Sequence, residues 1–439
     1  MLALSWPHGR YAGIDVVREV CDPESLAEFV WALYEQSRAD YYVDAKEDWG
    51  LPALGWLGND DTVRRLAPLI RSWPGDGQHV QAVIGLDVLV AIGTDTALAH
   101  LNSIATTVKF KGLRAKAQER IAELADERGL SPEQLADRLV PDFGLDERGS
   151  LTLDYGPRRF TVGFDDQLKP FVTDQTGKRL KDLPKPGARD DADLAPAAHA
   201  RFAELKKDVR TVAANQIRRL EQAMISQRRW ELAEFQRLFV HHPLLWHIAR
   251  RLLWRADTGV VFRVCEDRTF ADADDTTTVL PETTRVSVAH PVHLGEEAAA
   301  WAEVFADYEI LQPFPQLHRP VHRLTGEERT SAELTRFHGT TVPTTRVLGL
   351  QRRGWSLVSH GGGVDTYLCR PARGNRKVVI VLDPGVERGA PLSDPEQRVV
   401  RVALTDAQRG AVNGRFGELD AVLVSEVLTD LTTLTAPEA

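Results

Sequence analysis

The sequence predicts an α+β fold: an N-terminal HEAT-like α-solenoid over residues 1–140, a β-meander and linker over 141–191, a basic helical segment over 192–258, and a C-terminal α+β domain over 259–439. Three observations predict it. A self-match recurs at a spacing of 35 residues near the start, apolar and polar residues alternate just after Pro141, and strand-like runs alternate with helix-like ones from residue 259 onward.

The repeat comes first. Ala53-Leu54-Gly55-Trp56-Leu57-Gly58-Asn59-Asp60 aligns with Val88-Leu89-Val90-Ala91-Ile92-Gly93-Thr94-Asp95, and Leu66 falls over Leu101. Each copy reads as an apolar helix, a Gly that stops it in the left-handed C′ position, an Asp or Thr cap, and a second amphipathic helix. In this reading the Asp two residues after the Gly accepts the free N–H groups of the next helix. A weaker third copy spans Leu124–Glu133, with Ser131 as cap and Pro132 in the first turn. One helix pair cannot bury its apolar face alone, so a period near 35 points to hairpins stacked over about 22–140. The competing reading is an irregular helical bundle with an accidental repeat.

The next elements follow from periodicity. Ser150–Tyr155, Arg159–Phe164 and Phe171–Thr173 alternate apolar with polar residues between turn signals, which predicts a three-stranded antiparallel meander. Lys181–Asp191, punctuated by Pro and Gly, reads as an extended linker. From about 195 to 256 Phe202, Leu205, Val209 and Val212 recur at helical spacing, as do Trp230, Leu232, Phe235 and Leu238, then Leu244, Leu245, Ile248, Leu252 and Leu253. Beyond that, strands are expected at 260–264, 285–289, 364–368, 378–382 and 399–403, with helices at about 295–306, 328–337 and 417–431. Lys377–Leu382 is apolar on both faces and reads as a central strand covered on each side.

Composition bounds the rest. The chain has 439 residues, 63 acidic against 54 basic side chains and a net charge of −9, so coating nucleic acid with its whole surface is disfavoured, though not a local contact. Cys21, Cys265 and Cys369, an odd and widely spaced set, exclude a disulfide scaffold and a Cys-rich zinc module. Residues 1–10 lack a basic n-region and a long apolar core, and the apolar stretch from Val80 is cut by Asp87 and Asp95, so the expected setting is the reduced cytoplasm of a bacterium.

Locally the charge reverses. Residues 198–255 hold twelve cations (Arg201, Lys206, Lys207, Arg210, Arg218, Arg219, Arg228, Arg229, Arg237, Arg250, Arg251 and Arg255) against five acids. They read either as an anion-binding face, for nucleic acid or an acidic partner, or as a solvated helix face paired with acidic residues elsewhere; the second is the plainer account.

Each candidate site has a plain alternative too. His290 and His293, and His318 and His322, have ligand-like spacings, with His241, His242 and His247 upstream. Imidazoles three or four apart share a metal when one helical face carries both, but Pro291 and Pro320 interrupt both pairs, which favours capping or core histidines. Glu266, Asp267, Asp272, Asp274 and Asp275 lack the Gly and terminal Glu of a calcium loop and fit a charged hairpin loop. Asp383 follows a buried strand, where α/β enzymes place a catalytic or metal-binding carboxylate, yet Asp383-Pro384-Gly385 is also a turn signature. Gly361-Gly362-Gly363 lacks the order of a phosphate-binding fingerprint, and Tyr308–Leu317 reads as a groove lining or, more simply, a packed connection. No cofactor is expected.

Several stretches together resemble a known family: Val108–Leu113, Leu205–Ala213, His242–Leu245, Phe305–Phe314, Asp383–Gly385 and Arg415–Asp420. Across roughly 20–435 the chain resembles the C-terminal part of the MolR (molybdate metabolism regulator)-like bacterial proteins, a domain of unknown function that accompanies WGR modules and helical repeats. The resemblance implies no catalytic residue. It implies a setting beside MoxR-type AAA+ ATPases and von Willebrand A-domain proteins, and so an adaptor role in an ATP-dependent assembly. It also implies a longer N-terminus in relatives, of which this chain would be a short or truncated form. The chain departs from the family at the WGR module, because Trp49-Gly50 is followed by Leu51.

The expected function is therefore a non-enzymatic scaffold or regulatory adaptor that works by binding protein. Two alternatives stand beside it: an enzyme or nucleotide-responsive domain with a site near Asp383, His290 and His293 or the acidic loop, and nucleic-acid binding through the helices of 198–255.

Overall fold

A computed structural model describes residues 13–39, 50–358, 363–407 and 410–437. Residues 1–10, Trp49, Gly361 and Gly362, all used in the sequence reading, lie outside the described residues. The fold is α+β, with helices and antiparallel sheets. Two compact units divide the chain, residues 1–217 with 236–247, and residues 218–235 with 248–439.

Among the described residues the first unit has eight helices ahead of its sheet: α1 (Ile14–Val20), α2 (Pro23–Ala39), α3 (Gly50–Leu57), α4 (Asp60–Ser72), α5 (His79–Ile92), α6 (Asp95–Thr107), α7 (Lys111–Glu127) and α8 (Pro132–Arg138). Helix α3 packs on α2 and α5, α4 on α6, and α5 on α7. Leu54, Leu66, Leu86, Leu89, Leu101 and Ile104 are fully buried in one core that runs from Ile14 to Leu139. A Cβ on Gly55 would meet the Cβ of Ala91 at 2.9 Å, so the glycine lets α3 approach α5 closely.

The junctions differ from the sequence reading in two details. The first cap is Asn59 rather than Asp60; the second is Thr94, within the Asp-or-Thr reading, and not Asp95. Asn59 Oδ1 accepts from the N–H groups of Asp61 and Thr62, and Thr94 Oγ1 from that of Ala97. Asp60 instead ties one junction to the next, because its carboxylate accepts hydrogen bonds from the hydroxyls of Thr94 at 2.6 Å and Thr96 at 2.8 Å. Gly93 has the expected left-handed backbone, φ +67°. Gly58 does not; it is needed because a Cβ there would lie 2.4 Å from the Leu54 carbonyl oxygen.

The meander has four strands, not three: β1 (Leu151–Asp154), β2 (Arg159–Phe164), β3 (Pro170–Asp174) and β4 (Arg179–Leu180), in that order. Leu151 pairs with Val162, Phe160 with Asp174 and Val172 with Leu180. Strand β4 is two residues long, too short for period-two alternation to register. The segment after it is no free linker. Tyr155 Oη donates to the Pro184 carbonyl at 2.9 Å, and Arg158 Nε donates to Asp190 at 2.8 Å.

Helix α9 (Leu194–Ser226) follows, and its residues 218–226 belong to the second unit. The expected helix up to 256 then breaks into β5 (Trp230–Glu231), α10 (Leu232–Phe235), a π turn (Gln236–Val240), α11 (Trp246–Ala249) and β6 (Leu253–Ala256). Leu252, Leu253 and Trp254 are all fully buried. A short continuous apolar run has the same pattern in a buried strand and a buried helix, so periodicity does not distinguish β6 from a helical turn.

In the second unit β6 joins β7 (Val261–Val264), β8 (Phe270–Ala271) and β9 (Arg285–Val288) in a sheet of order β5-β9-β6-β7-β8. Next come α12 (Ala298–Asp307) and α13 (Gly326–Thr330); the helix expected over 328–337 ends at Thr330, and only a 3₁₀ turn covers Thr335–Phe337. Strand β10 (Thr341–Pro343), followed by helix α14 (Thr344–Gly349), forms a second sheet with strands β11 (Ser356–Val358), β12 (Val364–Ala372), β13 (Arg376–Glu387) and β14 (Glu396–Asp406), order β10-β14-β13-β12-β11. Strand β13 is central as expected, with Val378, Val379 and Ile380 buried in succession. Asp383-Pro384-Gly385 does not reverse the chain; β13 runs through it and Val386 pairs with Asp365. The last helix, α15 (Ala421–Leu434), is capped by Asp420, whose carboxylate accepts from the N–H groups of Val422 and Leu423.

Candidate functional site

Helix α15 is mostly Val, Leu and Thr, yet it buries two carboxylates one turn apart. Glu426 is 2% exposed and Asp430 fully buried, with Ser425 and Thr429 beside them. Spacing of i, i+4 sets both acids on one face. A buried carboxylate persists only where donors replace its water, and arginines supply them here.

Arg319 Nε and Nη2 hold the two oxygens of Glu426 at 2.6 and 2.8 Å, and its Nη1 reaches Glu221 at 2.8 Å. His290 Nε2 lies 3.2 Å from Glu426 Oε1. Burial opposes ionisation of Glu426, but Arg319 and His290 outweigh it and hold the carboxyl down at about 2. Burial likewise opposes the charge on Arg319, and its two glutamate partners more than compensate. Around Asp430, Arg370 Nη1 donates at 2.6 Å, Trp355 Nε1 at 2.8 Å, and Arg353 Nε lies 2.8 Å from the other oxygen. Burial pushes the Asp430 carboxyl up against the pull of Arg370, and pushes the Arg370 guanidinium down.

Glu426, Arg319 and Arg353 of this network also line a cleft of about 390 Å³. Its charged lining comprises Arg218 and Glu221 from the end of α9, Arg319 with His318 from the connection after α12, Arg352 and Arg353 from the 3₁₀ turn Leu350–Arg353, and Glu426. That turn is stopped by Gly354 at φ +89° and followed by the buried Trp355. Glu426, held far below neutral pH, is no reservoir of protons, and the arginines have no acid–base role at pH 7.

The sequence-selected residues fall as follows. His290 is a buried capping histidine, its Nδ1 accepting from the Val292 N–H at 3.1 Å. His293 is half-buried, and burial with nearby Arg255 lowers it to about 4. His318 stands exposed on the cleft rim, and the backbone N–H of His322 donates to Ser425 Oγ at 3.1 Å. Asp383 makes an exposed ion pair with Arg398. Among the described residues no group of three or more His, Cys, Asp or Glu side chains could hold a metal. The acidic segment is a hairpin loop: Asp267 and Asp272 cap their own turns, while Asp275 binds Arg263 and the Tyr308 hydroxyl. In the Tyr308–Leu317 connection, the buried Gln316 bonds both backbone groups of Leu253.

The nine candidate anion contacts among the twelve cations, all but Arg201, Arg237 and Arg255, divide between the units. Lys206 pairs with Asp182 at 3.3 Å in the first, where Lys207 and Arg210 are exposed. In the second, Arg228 lies over Trp230, Arg229 is exposed, Arg219 is half-buried and Arg250 lies 3.7 Å from Glu266. Arg251 is buried and donates to the Leu311 carbonyl at 3.1 Å. Arg218 alone of the nine lines the cleft. Sequence reasoning missed Glu221, Arg319, Arg352, Arg353, Arg370, Glu426 and Asp430. The available signal was the pair of polar dipeptides, Ser425-Glu426 and Thr429-Asp430, inside an apolar helix.

Among the described residues no helix is long and apolar enough to cross a membrane. Residues 177–355 match a family described as a domain of unknown function (DUF4132). The match takes in the cleft arginines up to Arg353 and stops before α15. The chain is also similar to the uncharacterized protein YehI of Escherichia coli strain K12, 37% identical over 435 residues, which is 95% of this chain and 34% of that one. It thus spans about a third of the length of the curated relative it matches. No solved structure matches it.

Proposed function

We propose that the chain is a non-enzymatic binding protein, a scaffold or regulatory adaptor in a bacterial, ATPase-linked assembly. The observation that carries this reading is the state of the cleft in the second unit. Its acids are already neutralised by arginines, an arrangement suited to holding a ligand rather than moving protons. The helix pairs of the first unit support the docking half of the proposal. Stacking of α3 on α5 and α4 on α6 at the 35-residue spacing fits a HEAT-like array, which presents an extended surface to a partner. Resemblance to the MolR-like, WGR-associated proteins suggests that partner: a MoxR-type AAA+ ATPase or a von Willebrand A-domain protein. Three free thiols, Cys21 among them exposed, suit a reduced, cytoplasmic setting.

The test is co-elution. Purified chain mixed at micromolar concentration with each candidate partner from the same genome should form a stable complex with one of them. Phe29 on α2 and Val80 on α5 are 46% and 59% exposed, and replacing both with Ser should dissolve the complex. Separate elution with both candidates, or a catalysed reaction of the chain alone, overturns the proposal.

A further inference from the structure

The meander of the first unit has a notched edge. Strand β4 pairs with β3 only at Thr173 and Val172, so Pro170 and Phe171 extend past its end. The Asp174 N–H donates to the Lys178 carbonyl at 3.0 Å. Bonded pairs alternate along an antiparallel ladder, so Val172 and Leu180 form the next one, and the N–H and C=O of Arg179 point away from β3. Among the described residues neither of those two groups has a partner.

A cavity of about 240 Å³ opens at this edge. Phe171, Leu180 and the buried Phe202 of α9 give it apolar walls, and Lys169, Arg179 and Lys181 supply its cations. Its two acids are engaged: Asp165 faces Arg179 at 3.8 Å, and Asp182 pairs with Lys206 at 3.3 Å. Lys169 and Lys181 are exposed and make no ion pair among the described residues.

We infer that this edge docks an extended peptide segment in which acidic and aliphatic residues alternate, added to the sheet as a strand beside β4. The alternation follows from the pleat. Arg179 projects from one face of the sheet with Thr173, and Leu180 from the other with the buried Val172. An added strand therefore sets one series of side chains beside Arg179 and Lys181, and the other toward Leu180 and Phe202. The cavity is smaller than the about 300–1,000 Å³ of small-molecule sites, which suits a side-chain anchor. Lysines on an edge strand repel a second basic edge, which removes another copy of this edge as the occupant. For an acidic strand the same charges attract.

The inference goes beyond the reading above and does not rest on it. Fluorescence polarisation of the full chain with labelled hexapeptides tests it. EVELEV should bind saturably. EEEVLV, of the same composition without alternation, and KVKLKV, of opposite charge, should each bind about tenfold more weakly or worse. Lys169→Glu and Lys181→Glu should each weaken EVELEV by about tenfold. Lys111→Glu, the same charge change at an exposed site on α7, should leave binding within about twofold. Arg179→Pro removes an outward N–H, where an edge strand tolerates proline, and should cost more affinity than Arg179→Ala; the lysine variants carry the test should proline disturb the fold. EEEVLV binding as tightly as EVELEV, or equal losses in the two folded Arg179 variants, overturns strand addition. No saturable binding of EVELEV up to about 1 mM, or binding that both lysine variants leave within about twofold of the parent, overturns the site.

Discussion

The first unit's helix array and the second unit's last helix solve burial in opposite ways. In the array, Leu54, Leu66, Leu89 and Leu101 fill the core and the polar side chains sit at junctions, as caps and clasps. Helix α15 instead carries Glu426 and Asp430 inside, each held by arginines from distant parts of the chain. Apolar burial is forgiving, because a smaller side chain loses contacts in proportion to what is removed. Ionic burial is not, because removing one partner strands the other.

The sharpest way to break that contrast is to strand a charge. Glu426→Ala leaves Arg319 and His290 without their shared acceptor and should destabilise the second unit by about 3–5 kcal/mol in urea unfolding followed by tryptophan fluorescence. A loss below about 1 kcal/mol would mean that the network relaxes and that the contrast is not one of energy. Leu89→Ala in the array should cost about 2–5 kcal/mol, with its spread set by how far α3 and α5 close over the cavity. Gly58→Ala should follow at about 1–3 kcal/mol, since the added Cβ meets the Leu54 carbonyl; calorimetry of the melting transition reads it.

Acid separates the regions further, and here the effect at neutral pH is nil. His100 in the array is lowered to about 4 by burial, Arg71 and Arg64, and His293 in the second unit to about 4 by burial and Arg255. A histidine depressed by folding contributes its full stability above its unfolded value near 6.5, and that contribution is lost as pH falls toward about 4. Glu426, depressed from 4.5 to about 2, contributes above 4.5 and loses that contribution as pH falls toward 2. A melting-temperature profile should therefore decline in the first window for both units and in the second window for the Glu426-bearing unit. His100→Gln should flatten the first decline in the array alone.

The same contrast explains what the sequence disclosed. Period and punctuation expose apolar helices and their stops, so the helical character of the first unit, Ser131 as a cap and central strand β13 were all legible. Strands β4, β5 and β8, each two residues long, leave no periodic trace, and β6 was hidden inside an apolar run. The site was least legible. Its arginines come from residues 218 to 370 and its acids from α9 and α15, pairs separated by up to 107 positions, and no local spacing announces a contact of that range. Basic-residue counting found Arg218 but also Arg251, whose guanidinium is spent on a backbone carbonyl. Histidine spacing led to His290, which touches the network, for a reason unrelated to metal.

Because α15 is the last helix described, its acids reach the ribosome exit after every arginine they must neutralise. Until α15 has emerged, Arg353 and Arg370 lack their internal counterion and Arg319 has only Glu221, and closing the second unit around them would bury unbalanced charge. The nascent chain is thereby kept from committing early, and a chain cut short before residue 421 should stay open to proteases and chaperones rather than settle into a deceptively complete shape.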